Sequence, residues 1–169
     1  MTTPEAIVAL NQLPKIGPVK VRRMLDRFGD AAAVLAASKD DLMSVDGIAE
    51  ETAGILTRWQ DFCDPAKEIR EVESRGLSLL FPEDPAFPPA LRAAYDAPLL
   101  LYVWGKVEPR DRHAIGVVGT RRVTHYGREA TKKLSYQLSQ SGYTIISGLA
   151  RGVDTVAHEA AVAAGGRTI

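Results

Sequence analysis

The stretch GVVGTRRVTHYGREATKKL, residues 116–134, runs from an apolar segment through a turn with glycine and two arginines into a helical pattern. The apolar run at residues 114–118 is continuous, as expected for a strand covered on both faces of a parallel sheet. Residues 127–140 then carry apolar side chains at four-residue intervals, which predicts a helix whose buried stripe is formed by Ala130, Leu134 and Leu138. Strand, turn and helix together form the first part of a βαβ unit.

The same alternation continues to residue 169. The elements predicted next are a strand at 143–146, a helix at 153–164 and the beginning of a third strand at 167–169. This order predicts an α/β fold with a Rossmann-like, doubly wound parallel sheet that is truncated at its third strand. We therefore expect the sequence to be part of a larger domain.

Both strand-to-helix turns combine glycine, a hydroxyl group and arginine. Glycine allows close backbone approach, free N–H groups donate hydrogen bonds, and arginine forks onto phosphate oxygens. Such turns on adjacent parallel strands lie at one edge of the sheet and predict a shared anion site. The candidate binding residues are Gly119, Thr120, Arg121, Ser147, Gly148, Arg151 and Gly152.

The turns do not match the nucleotide-cofactor patterns. In a G-x-G-x-x-G fingerprint the first two glycines are two residues apart, whereas Gly116 and Gly119 are three apart and Arg121 follows. A P-loop is absent, and no acidic residue lies about 20 residues further on to hold a ribose. We expect no cofactor, and the sugar-phosphate backbone of a nucleic acid is the favoured ligand of the turns. A tight corner with solvated charges remains the alternative, and Arg122 and Arg128 are assigned to that class.

Asp154 and His158 share a helix face, but no third ligand or nucleophile accompanies them. We predict no catalytic residue and no metal site, with Asp154 capping its helix and His158 hydrogen-bonded in the interior. An Arg151–Asp154 ion pair is the alternative for that arginine. Trp59 and Trp104 are predicted to pack in the core. Tyr126 is the one ring near the first turn that could stack on a base, and an exposed ring without that role is the favoured interpretation.

The N-terminal segment reads as short helices joined by two glycine-containing hairpins. These resemble tandem helix-hairpin-helix units of the SAM-like class, in which hairpin glycines bring backbone N–H groups to a DNA phosphate. Here Lys15 replaces the first glycine of one hairpin and Ala49 replaces the second glycine of the other. A helical scaffold without the phosphate contact is therefore favoured. The predicted divisions are a helical domain at 1–75, a connector with added strands at 76–112, and the first half of the Rossmann-like domain at 113–169.

The composition is that of a soluble globular protein, with 46% hydrophobic residues and a net charge of zero. The first 75 residues hold 10 basic and 13 acidic side chains and the remainder 11 and 8, so neither part is basic enough to indicate nucleic acid by itself. One cysteine, Cys63, and the absence of a 20-residue apolar run predict a cytoplasmic protein without a membrane anchor.

Three separated motifs resemble the DprA/Smf family of DNA-processing proteins. They are FPEDPAFPPALRAAYDAPLLLYVWG at 81–105, GVVGTRR followed by YG, and SGLARGVDTVAHEAAVAAGGRTI at 147–169. The resemblance implies a non-enzymatic protein of natural transformation and recombination that binds single-stranded DNA and forms a homodimer. It also implies loading of RecA recombinase and displacement of single-strand-binding protein.

The same resemblance implies the site. The arginine with which the family contacts DNA matches Arg121, with Gly119 and Thr120 beside it. The second signature turn of the family matches residues 147–152. Two alternatives stay open: a Rossmann-like phosphoribohydrolase acting on nucleoside monophosphates, whose PGGxGT turn is absent through Ile169, and an interaction module built on the helical segment.

Overall fold

The computed structural model describes all 169 residues and divides into two compact units, Met1–Lys106 and Val107–Ile169. The predicted boundaries near residues 75 and 112 stay predictions. None of the helices is both long enough and apolar enough to cross a membrane.

The first unit is mainly helical. Its first six helices are α1 (Thr3–Gln12), α2 (Pro18–Phe28), α3 (Ala31–Ala36), α4 (Lys39–Met43), α5 (Glu50–Leu56) and α6 (Pro65–Ser74). Side chains of Thr2, Asp30, Ser38 and Asp64 cap four of them by accepting a backbone N–H bond in the first turn. The fully buried side chains of the core include Leu10, Met24, Leu42 and Leu56. The predicted helical domain is thus confirmed.

A small antiparallel sheet completes this unit. Strand β1 (Ser78–Leu80) pairs with β2 (Leu101–Val103), and the short helix α7 (Pro89–Arg92) lies between them in the chain. The prediction that Trp104 packs in the core is wrong, because its side chain is 89% exposed. It follows the last paired residue of β2, where no neighbouring strand covers it.

The second unit has the predicted α/β order. Its elements are β3 (Ala114–Gly116), α8 (His125–Gln140), β4 (Thr144–Ile146) and α9 (Val153–Ala163). Strands β3 and β4 are parallel, with Ala114 opposite Thr144, and Ile145 bridges in parallel to Thr168 on its other side. The order β3, β4, third strand is that of half a doubly wound sheet, which confirms the predicted fold class.

Small side chains bring α8 and α9 together. Ser135 and Ser139 are the buried residues of α8, and Ala160 and Ala161 are buried on α9. A methyl group on Gly166 would overlap the Ser139 hydroxyl, so the two segments approach closely there. The prediction that Leu134 lies on the buried stripe is wrong, since it is 59% exposed. The close helix contact at the serines turns Leu134 away from α9.

Candidate nucleic-acid interface

The first turn connects β3 to α8 and is shaped by two side-chain hydroxyls. Thr120 Oγ1 accepts a bond of 3.1 Å from the backbone N–H of Arg122, which folds the turn back on itself. Thr124 Oγ1 accepts a 3.1 Å bond from the Gly127 N–H and caps α8. The backbone N–H groups of Gly119, Thr120 and Arg121 take no part in these bonds and have no partner.

The second turn connects β4 to α9 and is organised by Asp154. The buried carboxylate accepts bonds of 3.1 Å from the Gly148 N–H and 3.4 Å from the Ala150 N–H. The prediction that Asp154 caps its own helix is therefore wrong: α9 begins after Gly152 without a side-chain cap, and Asp154 binds the preceding loop instead. Leu149, between the two bonded amides, has a φ of 55° and is 83% exposed.

The two turns are bound to each other. The Val153 N–H donates a 3.2 Å bond to the Thr120 carbonyl, and Ser147 Oγ donates a 2.6 Å bond to the Val117 carbonyl. Their backbones also touch, since a methyl group on Gly152 would collide with the Thr120 carbonyl and lie 2.8 Å from Arg121 Cα. The structure therefore brings the two predicted turns to one place. The Ser147 hydroxyl proton is already engaged there.

Glycine is required at two points of this junction. Gly152 has a φ of 90°, in the left-handed region that side chains disfavour, as well as the contact with the first turn. A methyl group on Gly119 would lie 2.6 Å from Val153 Cγ2. These two glycines thus serve the contact between the turns, which the sequence could not distinguish from contact with a ligand.

An open depression of about 420 Å³ lies over the joined turns. It is lined by Arg121, Arg122, Ala150 and Arg151. No hydrogen bond or ion pair holds any of the three guanidinium groups. The alternative ion pair between Arg151 and Asp154 is not formed. Arg122, assigned from sequence to the solvated charges, is part of this lining.

The free cations of the molecule concentrate around this depression. In the first unit every lysine and arginine except Arg70 has a hydrogen bond, an ion pair or a ring contact. In the second unit Arg110, Arg112 and Arg167 are partnered. The cations left without a partner there are Arg121, Arg122, Arg128, Lys132, Lys133 and Arg151. All six lie in the two turns or on α8.

The backbone adds further donors to the same place. The N–H groups of Arg151 and Gly152 are unpaired, like those of Gly119, Thr120 and Arg121. Five free amides beside three unpaired guanidinium groups form a surface that can bind anionic oxygens without any cofactor or metal. No group of three or more His, Cys, Asp or Glu side chains lies close enough together to hold a metal ion.

The other predicted chemistry near the site is engaged in structure. His158 Nδ1 lies 2.6 Å from Thr168 Oγ1, whose hydroxyl donates a 2.8 Å bond to the Ile145 carbonyl. The histidine is thus hydrogen-bonded, as predicted, and its partner lies on the third strand, while its Nε2 is buried without a partner. The Tyr126 side chain is 82% exposed at the start of α8, open to a stacking partner.

The helical hairpins, by contrast, are neutralised by their own carboxylates. Lys15 is paired with Glu51, which joins the first hairpin to the start of α5. Lys39 lies 2.8 Å from Glu50, and Arg23 lies 2.8 Å from Asp46 of the second hairpin. Two glutamates occupy the first turn of α5, where a helix N-terminus otherwise attracts a phosphate. This arrangement favours the scaffold interpretation of the hairpins.

Comparison with family models identifies both parts of the chain. The model described as DNA recombination-mediator protein A matches residues 78–169, which include both turns. A model described as a SAM-like helix-hairpin-helix tandem matches residues 7–56.

Individual relatives agree with these matches. Protein Smf of Synechocystis sp. is 31% identical over 96% of this chain and 42% of its own length. Protein Smf of Escherichia coli is 41% identical over 84% of this chain and 40% of its own length. The chain thus spans less than half the length of these curated relatives. The X-ray structure of DNA processing protein A from Streptococcus pneumoniae superposes with a TM-score of 0.71 at 24% identity, covering 99% of this chain and 56% of that one.

Proposed function

We propose, from the premise that this chain belongs to the DNA recombination-mediator protein A family, that it binds single-stranded DNA through its two joined turns. The observation that carries the proposal is the depression lined by Arg121, Arg122 and Arg151, whose guanidinium groups are unpaired. Phosphate oxygens are the ligands that such groups and the neighbouring free amides match.

The chemistry of the site favours a polynucleotide backbone over a base. Guanidinium and amide donors recognise phosphates, which every nucleotide carries, and do not read base edges. We therefore expect affinity to depend little on base sequence. Because each bound phosphate releases counterions, the logarithm of the association constant should fall with log salt by about 0.7 per contacted phosphate on a single strand.

Replacing Arg121 by alanine tests the assignment. Fluorescence anisotropy with a labelled mixed-sequence strand should show affinity falling at least about fivefold at 0.1 M salt, the contribution of one phosphate contact at that concentration. Arg70→Ala is the matched control, since it removes an unpaired surface cation from the first unit. Equal affinities of Arg121→Ala and wild type would overturn the proposal, provided circular dichroism shows both folded.

The family relationship extends the proposal to the role of the bound DNA. We propose that the protein acts without catalysis in cytoplasmic DNA processing during transformation, as a homodimer that loads RecA onto the strand and displaces single-strand-binding protein. The polar groups that would serve catalysis support this, since Asp154 binds loop amides and His158 binds Thr168.

A RecA ATPase assay on DNA coated with single-strand-binding protein tests this role. Adding the chain should shorten the lag before ATP hydrolysis, and Arg121→Ala should not. An unchanged lag at saturating protein would contradict RecA loading while leaving DNA binding intact. Release of free base from nucleoside monophosphates would instead support the phosphoribohydrolase alternative and contradict a non-enzymatic role.

A further inference from the structure

Helix α8 carries two of the unpaired cations on the face that it turns towards α9. Arg128 and Lys132 each lie seven residues before a buried serine, Ser135 and Ser139 respectively. Seven residues are nearly two complete helical turns, so each cation shares a face with its serine. That face meets the end of α9, because Ser139 abuts Gly166.

Both cations lie in the half of α8 nearest to the joined turns. The helix begins at His125, directly after the first turn. At a rise of 1.5 Å per residue, Arg128 is about 4.5 Å and Lys132 about 10 Å from that start along the axis. Both side chains are exposed, whereas the serines further along are buried. The charged depression thus continues along the exposed beginning of the seam between the helices.

Carboxylates do not cancel this charge. The exposed acidic residues of the two helices are Glu129 and Glu159, and neither lies within 4.0 Å of a basic nitrogen. The other carboxylates of the second unit already have partners: Glu108 and Asp111 bind arginines, and Asp154 binds loop amides. A polyanion leaving the depression therefore meets unpaired cations in one direction, along α8.

We propose that the bound single strand extends from the turns along this seam, with Arg128 and Lys132 as further backbone contacts. This inference rests on the proposed function. The strand segment that the second unit holds is then longer than the depression between Arg121 and Arg151, and affinity should keep rising with oligonucleotide length after the depression is filled.

Two adjacent lysines allow a matched test. Lys132 and Lys133 are both exposed and unpaired, but they point about 100° apart around the helix. Affinities for oligothymidylates of about 4 and about 12 nucleotides are measured for wild type, Lys132→Gln and Lys133→Gln. We expect Lys132→Gln to weaken binding of the longer strand about fivefold at 0.1 M salt and to reduce its salt slope by about 0.7. Binding of the shorter strand should stay unchanged, and Lys133→Gln should change either affinity less than twofold.

The outcomes separate the two proposals. Equal effects of Lys132→Gln and Lys133→Gln, or no effect of Lys132→Gln on the longer strand, would overturn the extended path, with the proposed function still supported if Arg121→Ala weakens binding of both strands. If Arg121→Ala left binding of the shorter strand intact, the proposed function itself would fail. Arg128→Gln combined with Lys132→Gln should weaken the longer strand about 25-fold, and a loss no larger than that of Lys132→Gln would remove Arg128 from the path.

Discussion

Arg167 donates two parallel hydrogen bonds to the Asp111 carboxylate, from Nε to Oδ1 at 2.5 Å and from Nη2 to Oδ2 at 2.8 Å. The two residues are 56 positions apart, and the pair joins the 3₁₀ turn Pro109–Arg112 to the third strand of the second unit. Asp111 also accepts a 3.0 Å bond from the Thr144 hydroxyl, which adds β4 to the same cluster. With the carboxylate 7% exposed, this cluster joins the segment before β3 to β4 and to the third strand.

Asp111→Asn should destabilise the second unit by about 2 kcal/mol, because it removes the charged acceptor that Arg167 bonds twice and leaves that arginine only its longer, more exposed contact with Glu108. Urea unfolding followed by circular dichroism measures the change. Glu108→Gln is the control, since this more exposed carboxylate lies 3.3 Å from Arg167 and should contribute less than about 1 kcal/mol. Comparable losses in both variants would contradict the central place of Asp111.

The same pair predicts an acid dependence. Hydrogen bonds from Arg167, above all, lower the pKa of the Asp111 carboxyl in the folded protein. A carboxyl whose folded pKa is lowered stabilises the fold above its ordinary value near 4, and this contribution is lost as the pH falls through the lowered pKa. The urea concentration at the wild-type midpoint should therefore fall when the pH is lowered below 4. The difference in unfolding free energy between wild type and Asp111→Asn should shrink over the same pH range. A difference that stays constant from pH 7 to pH 2.5 would contradict the assignment.

Gly152→Ala should separate the two turns. The new methyl group collides with the Thr120 carbonyl, and the left-handed backbone adds strain. We expect a loss above 2 kcal/mol in unfolding free energy and loss of single-stranded DNA binding. Gly165→Ala isolates the strain, because it has a φ of 69° with open space around it, and should cost about 1 kcal/mol without affecting binding. Retained binding by Gly152→Ala would show that the junction is not needed.

Lys15→Gly should stabilise the first unit slightly. Lys15 has a φ of 63°, a conformation that costs a side chain about 1 kcal/mol relative to glycine. The substitution also removes the exposed ion pair with Glu51, which contributes about 0.5 kcal/mol. Thermal unfolding should show a net gain near 0.5 kcal/mol, whereas Lys15→Ala, which keeps the strain and loses the pair, should be less stable than wild type. The reverse order of the two variants would be inconsistent with strain at this hairpin.

Combining Glu50→Gln and Glu51→Gln should expose the hairpins to duplex DNA. Lys15 and Lys39 lose their partners, and the first turn of α5 loses both negative charges. We expect duplex affinity at low salt to rise about tenfold, measured by anisotropy. Asp61→Asn with Glu73→Gln removes the same charge away from the hairpins and serves as control. Equal gains in both variants would indicate a general charge effect.

Local sequence signals predicted most of the elements. The bounds of helix α6, Pro65–Ser74, follow from such signals, because proline begins it, Asp64 caps it and Gly76 follows its end. The positions of the parallel strands were predictable because mostly apolar runs lead into turns that contain glycine. The expectation that the first strand is covered on both faces is wrong, since β3 ends at Gly116, is only partly buried, and is followed by Val118 with 84% exposure. The joined turns followed from the rule that parallel strands present their carboxyl ends at one edge.

The errors concern side chains whose surroundings are set by distant residues. Trp104 lies in an apolar run that is typical of a strand. Whether its side chain is buried depends on which element covers that face of the sheet. Leu134 and Ser135 are adjacent, and the packing of α8 against α9, which also places Ser139 beside Gly166, buries the serine and leaves the leucine exposed. Asp154 could have bonded its own helix or the preceding loop. The loop, with Leu149 in the left-handed region, brings the Gly148 N–H to the Asp154 carboxylate, so the carboxylate bonds the loop.

The bonds from Val153 to Thr120 and from Ser147 to Val117 have a kinetic consequence. The loops lose their conformational entropy when the chain folds, so a ligand does not have to order them again on arrival. For the proposed strand, capture would then be governed by diffusion and charge steering, and changes to these loops would alter the lifetime of the complex more than its rate of formation.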